Sequence, residues 1–249
     1  MANVLKERYD NLVATWVALP EERRSTLLDD FGVRYAYNSG KIKNKEVEWK
    51  DVSHVFSTGG VEDYSGRVKT LFDIWDLKVS WEWARQLATP DLRFSEELVQ
   101  EAHELMTMGA YDVDLRMRGE KPGSFKLENY VSGPAEIGAP AVHVPHAVGE
   151  LVDDVNSFLD EGRRSLTIAT FLHARLTEIH PFADGNGRVA RLLMNMALLI
   201  MGMPPIVIRE QDRTSYYSGL DLFHLEGDLS PFRRFLRNET LLTWEGLLD

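Results

Sequence analysis

The chain has 249 residues, 44% of them hydrophobic and 27% charged, which is the composition of a folded globular protein and excludes a largely disordered or low-complexity chain. Thirty-nine acidic residues against 28 basic ones give a formal charge of -11, and such a field repels phosphate backbones and anionic membrane surfaces. The sequence contains no cysteine, which excludes disulfides, thiolate nucleophiles and cysteine-ligated metals. We therefore expect neither nucleic acid nor a membrane as a partner.

Two segments, the charged residues 1–10 and the longest apolar run, favour a cytoplasmic protein. Residues 1–10 carry four charged side chains and no apolar stretch follows them, so no secretory signal is indicated. The longest apolar run, 192–208, contains Asn195 and two prolines, whereas a membrane-spanning helix needs roughly 20 apolar residues in succession. That run predicts a core helix followed by a turn.

Helical periodicity dominates the chain, with apolar residues recurring at spacings of three and four in five stretches. In chain order the apolar positions are Val68, Leu71, Phe72 and Trp75; Leu98, Ala102, Leu105 and Met106; Val148, Leu151, Val152, Val155, Phe158 and Leu159; Ala169, Leu172, Leu176 and Ile179; and Val189, Leu192, Leu193, Met196, Leu199 and Ile200. Ser95 is placed to cap the second stretch and Pro145 to open the third. Each stretch predicts a helix with one face in the core.

Residues 119–146 are the exception, because they are rich in glycine and proline and contain the short alternating pieces 124–127 and 141–144. They predict a hairpin or an extended loop, the one place with β structure. The sequence contains no internal repeat, which favours one mostly helical core domain, 61–249. A helical extension, 1–60, is expected to precede it and to end around Gly59 and Gly60.

The segment 180–191, HPFADGNGRVAR, lies between two of the predicted helices and combines residue types suited to phosphate chemistry. Glycines at 185 and 187 permit positive φ, so successive N–H groups can converge into an anion-binding nest at a helix start. Arg188 and Arg191 are three residues apart, which makes them neighbours on the first turn of the helix. A polyphosphate is the ligand that this combination favours.

Two further side chains of this segment supply acid–base and metal chemistry. Asp184 can hold Mg²⁺, which takes one or two protein oxygens and its other ligands from phosphates and water. His180, with an ordinary pKa of about 6.5, suits a general base at neutral pH. The alternative is that the segment is only a turn that joins two helices. A functional site is favoured because each residue type suits a different chemical task, which a simple turn does not require.

At every defined position the segment matches the signature H-P-F-x-[DE]-G-N-G-R-x-x-R, and the chain therefore resembles the Fic family. The resemblance implies an all-α fold with a small β-hairpin flap. It implies an enzyme that transfers AMP from ATP to a Ser, Thr or Tyr hydroxyl of a target protein and releases pyrophosphate. By the same resemblance the roles are His180 as base, Asp184 as Mg²⁺ ligand, Gly185, Asn186, Gly187 and Arg188 as phosphate cradle, Arg191 on the terminal phosphate and Phe182 as the anchor of the loop.

Weaker resemblances lie on both sides of the motif. Residues 123–146 stand where the family's flap docks the target segment by strand addition, and 123–126 resemble its usual start with lysine in place of arginine; a surface loop is the alternative. Downstream, Tyr217 and Tyr216 fall where tyrosines border the adenine pocket, with core packing as the rival interpretation. His173 is expected to give structural, hydrogen-bonded support.

Residues 37–44 resemble the family's inhibitory helix, [ST]-x-x-x-E-[GN], with Ser39 at the first position and Lys43 in place of the glutamate. A lysine cannot accept a hydrogen bond from Arg191 and repels it instead. We expect weak or absent auto-inhibition and forward transfer rather than removal of AMP. Two alternatives stay open: that a nearby acid such as Glu46 substitutes, and that the register is shifted.

Other functions compete with this interpretation. The same motif permits transfer of another nucleotide or phosphate-containing group. A nucleotide-binding regulatory or toxin-like module, held by an antitoxin-like partner that supplies the missing glutamate, is a rival from another class. Self-modification is expected of an enzyme that lacks the inhibitory glutamate.

Overall fold

The computed structural model describes residues 2–133, 136–162 and 164–248, and within them the chain forms eleven α-helices and two 3₁₀ turns. The helices are α1 Ala2–Ala18, α2 Glu21–Lys43, α3 Trp49–Thr58, α4 Val68–Leu87, α5 Glu96–Thr107, α6 Val113–Met117, α7 Val144–Asp160, α8 Leu166–Ile179, α9 Asn186–Ile200, α10 Arg213–Glu226 and α11 Ser230–Trp244. The 3₁₀ turns are Ala141–His143 and Glu210–Asp212. The predicted all-α class is confirmed.

All five helices that the apolar periodicity predicts are present, as α4, α5, α7, α8 and α9. The cap predicted for α5 is also observed, because the Ser95 hydroxyl accepts a hydrogen bond from the backbone N–H of Leu98. Pro145 lies in the first turn of α7, where its missing N–H has no intrahelical partner to lose. Local sequence signals thus decide where these helices begin.

The apolar stripe that was expected to face the core on α4 lies largely at the surface, and this prediction is wrong. Val68, Phe72 and Trp75 are 64%, 46% and 40% exposed. The buried face carries Leu77 and Trp81 together with two carboxylates. Because α4 has apolar residues on both faces, their spacing predicts the helix but cannot tell which face its neighbours cover.

The strand-like pieces expected in 119–146 are not strands in the described part of the chain. Residues 141–143 form a 3₁₀ turn and Val144 begins α7, because prolines at 140 and 145 start a helix and a four-residue alternation is too short to prevent it. The loop makes one antiparallel bridge, between Ser132 and Ile137, with N–H···O distances of 2.8 and 3.0 Å. This bridge is a minimal hairpin; Pro134 and Ala135, also within the expected flap, lie outside the described residues.

The centre of the fold is α9, which is buried on nearly every side and packs against α8, α5, α4 and α2. A helix with apolar residues on most of its faces must be enclosed by other elements. As predicted for the run 192–208, α9 is a core helix that ends in a turn, with Gly202 at φ +66°. Its N-terminus, residues 186–188, therefore lies where several helices meet. No helix in the described ranges is long and apolar enough to cross a bilayer.

The N-terminal helices share this core. Helix α2 packs on α4 and α9, and α1 packs on α11. Helix α3 ends at Thr58 with Gly59 in the left-handed conformation, close to the expected end of the extension. The division into 1–60 and 61–249 stays a prediction.

An aromatic cluster joins the first and last helices. Trp244 of α11 lies 4.6 Å from Trp16 of α1 and 5.7 Å from Phe31 of α2, measured between ring centroids. Its indole N–H donates to the carbonyl of Pro205 at 2.7 Å, and its side chain is fully buried. The cluster stabilises the packing of α1 and α2 on the core.

We expect Trp244→Ala to lower the free energy of unfolding by about 3–5 kcal/mol, because it leaves a large cavity and an unpaired carbonyl. Urea denaturation followed by far-UV circular dichroism measures this. Trp49→Ala is the matched control, since Trp49 is 48% exposed, and its effect should stay below about 1 kcal/mol. Equal losses in the two variants would contradict the role of the cluster.

Candidate active site

The motif segment reverses the chain between α8 and α9 by two residues in the left-handed region. His180, the residue after α8, has φ +52° and ψ +60°, and its N–H donates to the carbonyl of Leu176. Gly185, the residue before α9, has φ +86°. The connector between them is short, so His180 lies beside the first turn of α9.

The connector is locked by a reciprocal pair of hydrogen bonds. The backbone N–H of Phe182 donates to the Asn186 Oδ1 at 2.9 Å, and the Asn186 Nδ2 donates to the carbonyl of Phe182 at 2.7 Å. The ring of Phe182 is fully buried and stacks on His103, with 3.8 Å between centroids and 3° between planes. Asn186 thus shapes the loop, and the buried ring of Phe182 anchors it, as the resemblance implies.

His103 of α5 connects this loop to the flap. Its Nδ1 accepts from the N–H of Gly123 at 2.9 Å, so its Nε2 carries the proton and donates to the carbonyl of Asp184 at 3.0 Å. Burial lowers the pKa of His103 to about 3, which keeps the ring neutral. The motif, α5 and the flap therefore meet on one imidazole.

Of the two motif glycines, only Gly185 has positive φ, and the expectation for Gly187 is wrong. Gly187 lies in the first turn of α9, where helical dihedrals apply. A Cβ on Gly185 would also lie 2.8 Å from the Thr107 Cγ2, whereas one on Gly187 would meet only the Nη1 of Arg191, at 3.3 Å. Gly185 is required by conformation and space, and Gly187 leaves room at the cavity surface.

Two adjoining cavities open at the N-terminus of α9, with volumes of about 400 and 260 Å³, and they share His180, Asn186, Gly187 and Tyr217. The larger one is also lined by Ser132, Gly133, Ile137, Thr177, Tyr216, Leu220, Asp221, His224 and Leu225. The smaller one is also lined by Ile42, Lys43, Ala183, Asp184, Gly185, Arg188, Arg191 and Arg213. One cavity is rich in aromatic and aliphatic side chains, the other in cations.

Arg191 is fixed within the smaller cavity by residues from α2 and α10. Its Nε donates to the Ser39 Oγ and its Nη2 to the Ser39 carbonyl, both at 3.0 Å. Its Nη1 lies 3.4 Å from the Oη of Tyr216, which contacts the His173 Nε2 at 3.0 Å. The hydrogen-bonded support expected of His173 is therefore observed, and it acts through Tyr216.

Arg188 is held by a buried carboxylate that the sequence analysis did not single out. Its Nη1 donates to the Oδ1 of Asp73 on α4 at 2.8 Å and to the carbonyl of Met106 at 3.3 Å. Its Nη2 lies 3.4 Å from the Oδ2 of Asp184. Both partners of the Arg188–Asp73 pair are nearly inaccessible to solvent, so the pair orients the guanidinium rigidly.

Lys43, the last residue of α2, contacts Asp184 rather than Arg191. Its Nζ lies 2.5 Å from the Asp184 Oδ2. Burial opposes ionisation of Asp184, yet Arg188 and Lys43 hold its pKa well below the usual range. Glu46, considered as a substitute acid, instead accepts hydrogen bonds from Arg67 at 2.7 Å and from Thr70 at 3.1 Å.

His180 is unprotonated at neutral pH. Burial lowers its pKa to about 4, and the charge of Lys126 adds to that effect. Lys126 is buried in the flap, and its Nζ donates to the carbonyl of Tyr130 at 2.8 Å. Its backbone N–H donates to the carbonyl of Pro181 at 2.9 Å. The start of the flap is therefore bonded to the residue that follows His180.

The donor set suits a cation that is held jointly with a polyphosphate. The described residues contain no group of three His, Asp or Glu side chains that would bind a metal by themselves. Asp184 offers one carboxylate in a cavity that is also lined by Lys43 and three arginines. Mg²⁺ commonly binds in this way, with one protein carboxylate, phosphate oxygens and water.

The structure brings together every site residue that the sequence singled out. Tyr217 is 42% exposed between the cavities, with Arg213 over its ring, whereas Tyr216 is buried beneath the wall of the larger cavity and bonded to Arg191 and His173. His103, Asp73 and His224 were missed. His103 interrupts the apolar stripe of α5 and gave a signal, but Asp73 is on the face of α4 that was expected outside, and nothing in the sequence marks His224.

Residues 93–198 match the family model of the Fic/DOC family. A protein adenylyltransferase Fic from Nematostella vectensis is 42% identical over 113 residues, which cover 43% of this chain and 26% of that protein. One from Drosophila willistoni is 42% identical over 105 residues, 39% of this chain and 21% of that protein. The matches span about a quarter of the length of these relatives.

Solved structures show the same fold. A Fic domain-containing signaling protein from Bacteroides thetaiotaomicron has a TM-score of 0.82 at 24% identity, covering 95% of this chain and 93% of that one. Fic-1 from C. elegans has a TM-score of 0.79 at 20% identity, covering 97% and 71%. At these coverages the likeness in fold includes the N-terminal helices.

We expect Gly185→Ala to lower the free energy of unfolding by about 1–3 kcal/mol, because alanine is strained at positive φ and its methyl meets Thr107. Gly187→Ala is the matched control and should change that free energy by less than about 1 kcal/mol, since alanine favours a helix. Urea denaturation of both variants measures the difference. A larger loss in Gly187→Ala would contradict the assignment.

Proposed function

We propose that this chain, which belongs to the Fic/DOC family through its domain at residues 93–198, is a protein adenylyltransferase that transfers AMP from ATP to a hydroxyl side chain of a target protein and releases pyrophosphate. Relatives named protein adenylyltransferase Fic support this activity. The observation that carries the proposal is a neutral His180 at the junction of a 400 Å³ cavity and a cationic one. A nucleotide needs such a pair of adjoining sites.

In this proposal the two cavities divide the ATP between them. The nucleoside occupies the larger cavity, bordered by Tyr217, whose half-exposed ring is available for stacking. The phosphates lie at the start of α9, where Gly185, Asn186 and Gly187 present the positive end of the helix dipole. Arg191 binds the terminal phosphate. Its guanidinium is already oriented by Ser39 and so loses little freedom on binding.

The transfer is an in-line displacement at the α-phosphorus. The target hydroxyl oxygen forms the new bond to phosphorus while the bond to the bridging oxygen of the β-phosphate breaks, and pyrophosphate leaves. His180 accepts the hydroxyl proton. Its lowered pKa of about 4 keeps it unprotonated and ready at neutral pH. Arg188 and the first turn of α9 stabilise the negative charge that develops.

Asp184 is the proposed ligand for Mg²⁺, which when bound with ATP would neutralise phosphate charge. The support is the donor set: one carboxylate in a cavity that four cationic side chains also line. Asp184 is ionised throughout the physiological pH range, because Arg188 and Lys43 stabilise its charged form.

The target segment is proposed to dock on the flap, 123–146. Flap residues Ser132 and Ile137 line the larger cavity together with His180, and Gly138 lies close to the His180 side chain. An extended peptide added to this edge would carry its hydroxyl toward His180. Self-modification belongs to the same proposal. Control by an antitoxin-like partner stays a prediction, and so does the cytoplasm as the compartment.

Weak intrinsic auto-inhibition is proposed from the partners of Arg191. The guanidinium contacts Ser39 and Tyr216, both uncharged, and Lys43 supplies no acceptor at the position of the inhibitory glutamate. Arg191 is therefore free to bind an anion.

The test is transfer from ATP labelled on the α-phosphate, with Mg²⁺, into the purified chain and into proteins of a cell lysate, together with the intact mass of the chain. We expect label in protein and a mass gain of one adenylyl group. His180→Ala should reduce transfer by about 100-fold or more, because the general base is lost. His54→Ala, on α3 and away from both cavities, is the control. Label from the γ-phosphate, or nucleotide binding without transfer, would contradict the proposal.

The proposed weak auto-inhibition is tested by Lys43→Glu in the same transfer assay. A carboxylate at this position can accept from the motif arginines, so we expect transfer to fall by about tenfold. Lys45→Glu, an exposed neighbour beyond the end of α2, makes the same charge change and should leave transfer unaltered. Equal transfer by Lys43→Glu and the wild type would contradict weak auto-inhibition as the reason for activity, while leaving the chemistry intact.

A further inference from the structure

The ammonium of Lys43 lies where a cation on Asp184 would lie. Its Nζ is 2.5 Å from the Asp184 Oδ2, within the cavity that the motif builds for phosphates. The residue comes from a different part of the fold, since 141 positions of sequence separate it from Asp184. Helix α2 packs on α4 and α9, so the base of the Lys43 side chain is anchored beside the site.

A second cation already contacts the same carboxylate oxygen. The Nη2 of Arg188 lies 3.4 Å from the Asp184 Oδ2. Arg188 is 4% exposed and bonded to Asp73, so it cannot leave. Lys43 is 37% exposed on a flexible stem and can leave. Any divalent cation that binds Asp184 must therefore displace Lys43 or be repelled by both charges.

We propose that Lys43 is a tethered competitor for the metal ligand: its ammonium neutralises Asp184 until a divalent cation arriving with a nucleotide displaces it. The inference rests on the proposed function for the identity of the metal and the nucleotide. It gives α2 a second means of control, which acts on the carboxylate rather than on Arg191. The affinity of the site for the metal is then set by a residue outside the motif.

The experiment measures Mn²⁺ binding by electron paramagnetic resonance in the presence of saturating α,β-methylene-ATP, which cannot transfer AMP because a methylene group replaces the oxygen between its α- and β-phosphorus atoms. The full chain is compared with Lys43→Met, which keeps the length of the stem and removes the charge. We expect about tenfold tighter Mn²⁺ binding in Lys43→Met, the order expected when one unit charge at the site is removed near the surface.

Three variants separate competition from other effects. Lys43→Arg retains the charge and should bind Mn²⁺ as weakly as the wild type. Lys45→Met removes the same charge from the neighbouring exposed position and should also match the wild type. Asp184→Asn should weaken Mn²⁺ binding. In that background Lys43→Met should no longer change the Mn²⁺ affinity, as a double-mutant cycle requires if the two residues interact.

A second measurement follows Lys43 directly. The rate of acetylation of its Nζ, which reacts as the unprotonated amine, should rise when Mn²⁺ and the analogue are added, because displacement releases Nζ from Asp184; mass spectrometry of peptides measures it. Lys41 is the internal control, since its Nζ donates to the carbonyls of Lys45 and Val47 and has no contact with Asp184.

Unchanged or weaker Mn²⁺ binding in Lys43→Met, or acetylation of Lys43 that is insensitive to Mn²⁺, would overturn the inference. Neither readout requires AMP transfer, so a failure of the adenylyltransferase assay leaves this result interpretable. Equal Mn²⁺ binding by the wild type and Asp184→Asn would overturn both the inference and the proposed metal ligand.

Discussion

The site depends on the reciprocal hydrogen bonds between the Asn186 side chain and the backbone of Phe182. A connector this short, with left-handed residues at both ends, leaves polar groups facing the interior, and unpaired groups there would destabilise it. Asn186 pairs two of them and so fixes the position of His180 relative to α9. The stacked pair of Phe182 and His103 then attaches the connector to α5.

Charge organises the remainder of the site. Asp73, Arg188, Asp184 and Lys43 form a chain in which opposite charges alternate and each contact is an ion pair. Burying an unpaired arginine costs free energy, and Asp73 on the buried face of α4 is the partner of Arg188. The two carboxylates differ in what they can do, because Asp73 is enclosed whereas Asp184 faces the cavity. Arg188 thus links the enclosed carboxylate to the one that faces the cavity.

The N-terminal helices belong to the site as well as to the fold. The aromatic cluster around Trp244 fixes α1 and α2 against the core, and α2 then delivers Ser39 to Arg191 and Lys43 to Asp184. Two residues four positions apart on one helix face can reach neighbouring groups of the motif. The structural likeness to Fic domain proteins extends over these helices, which is consistent with a shared scaffold.

The sequence by itself determined five of the helices, the Ser95 cap, the resemblance to the Fic family and the motif residues, because helical periodicity and the contiguous string 180–191 are local properties of the chain. Only the tertiary structure decided which face of α4 is buried, that 141–144 is not a strand and that Gly187 is helical. It also decided that Lys43 meets Asp184 instead of Arg191. Each of these depends on which groups distant in sequence come together, and a local pattern carries no record of that.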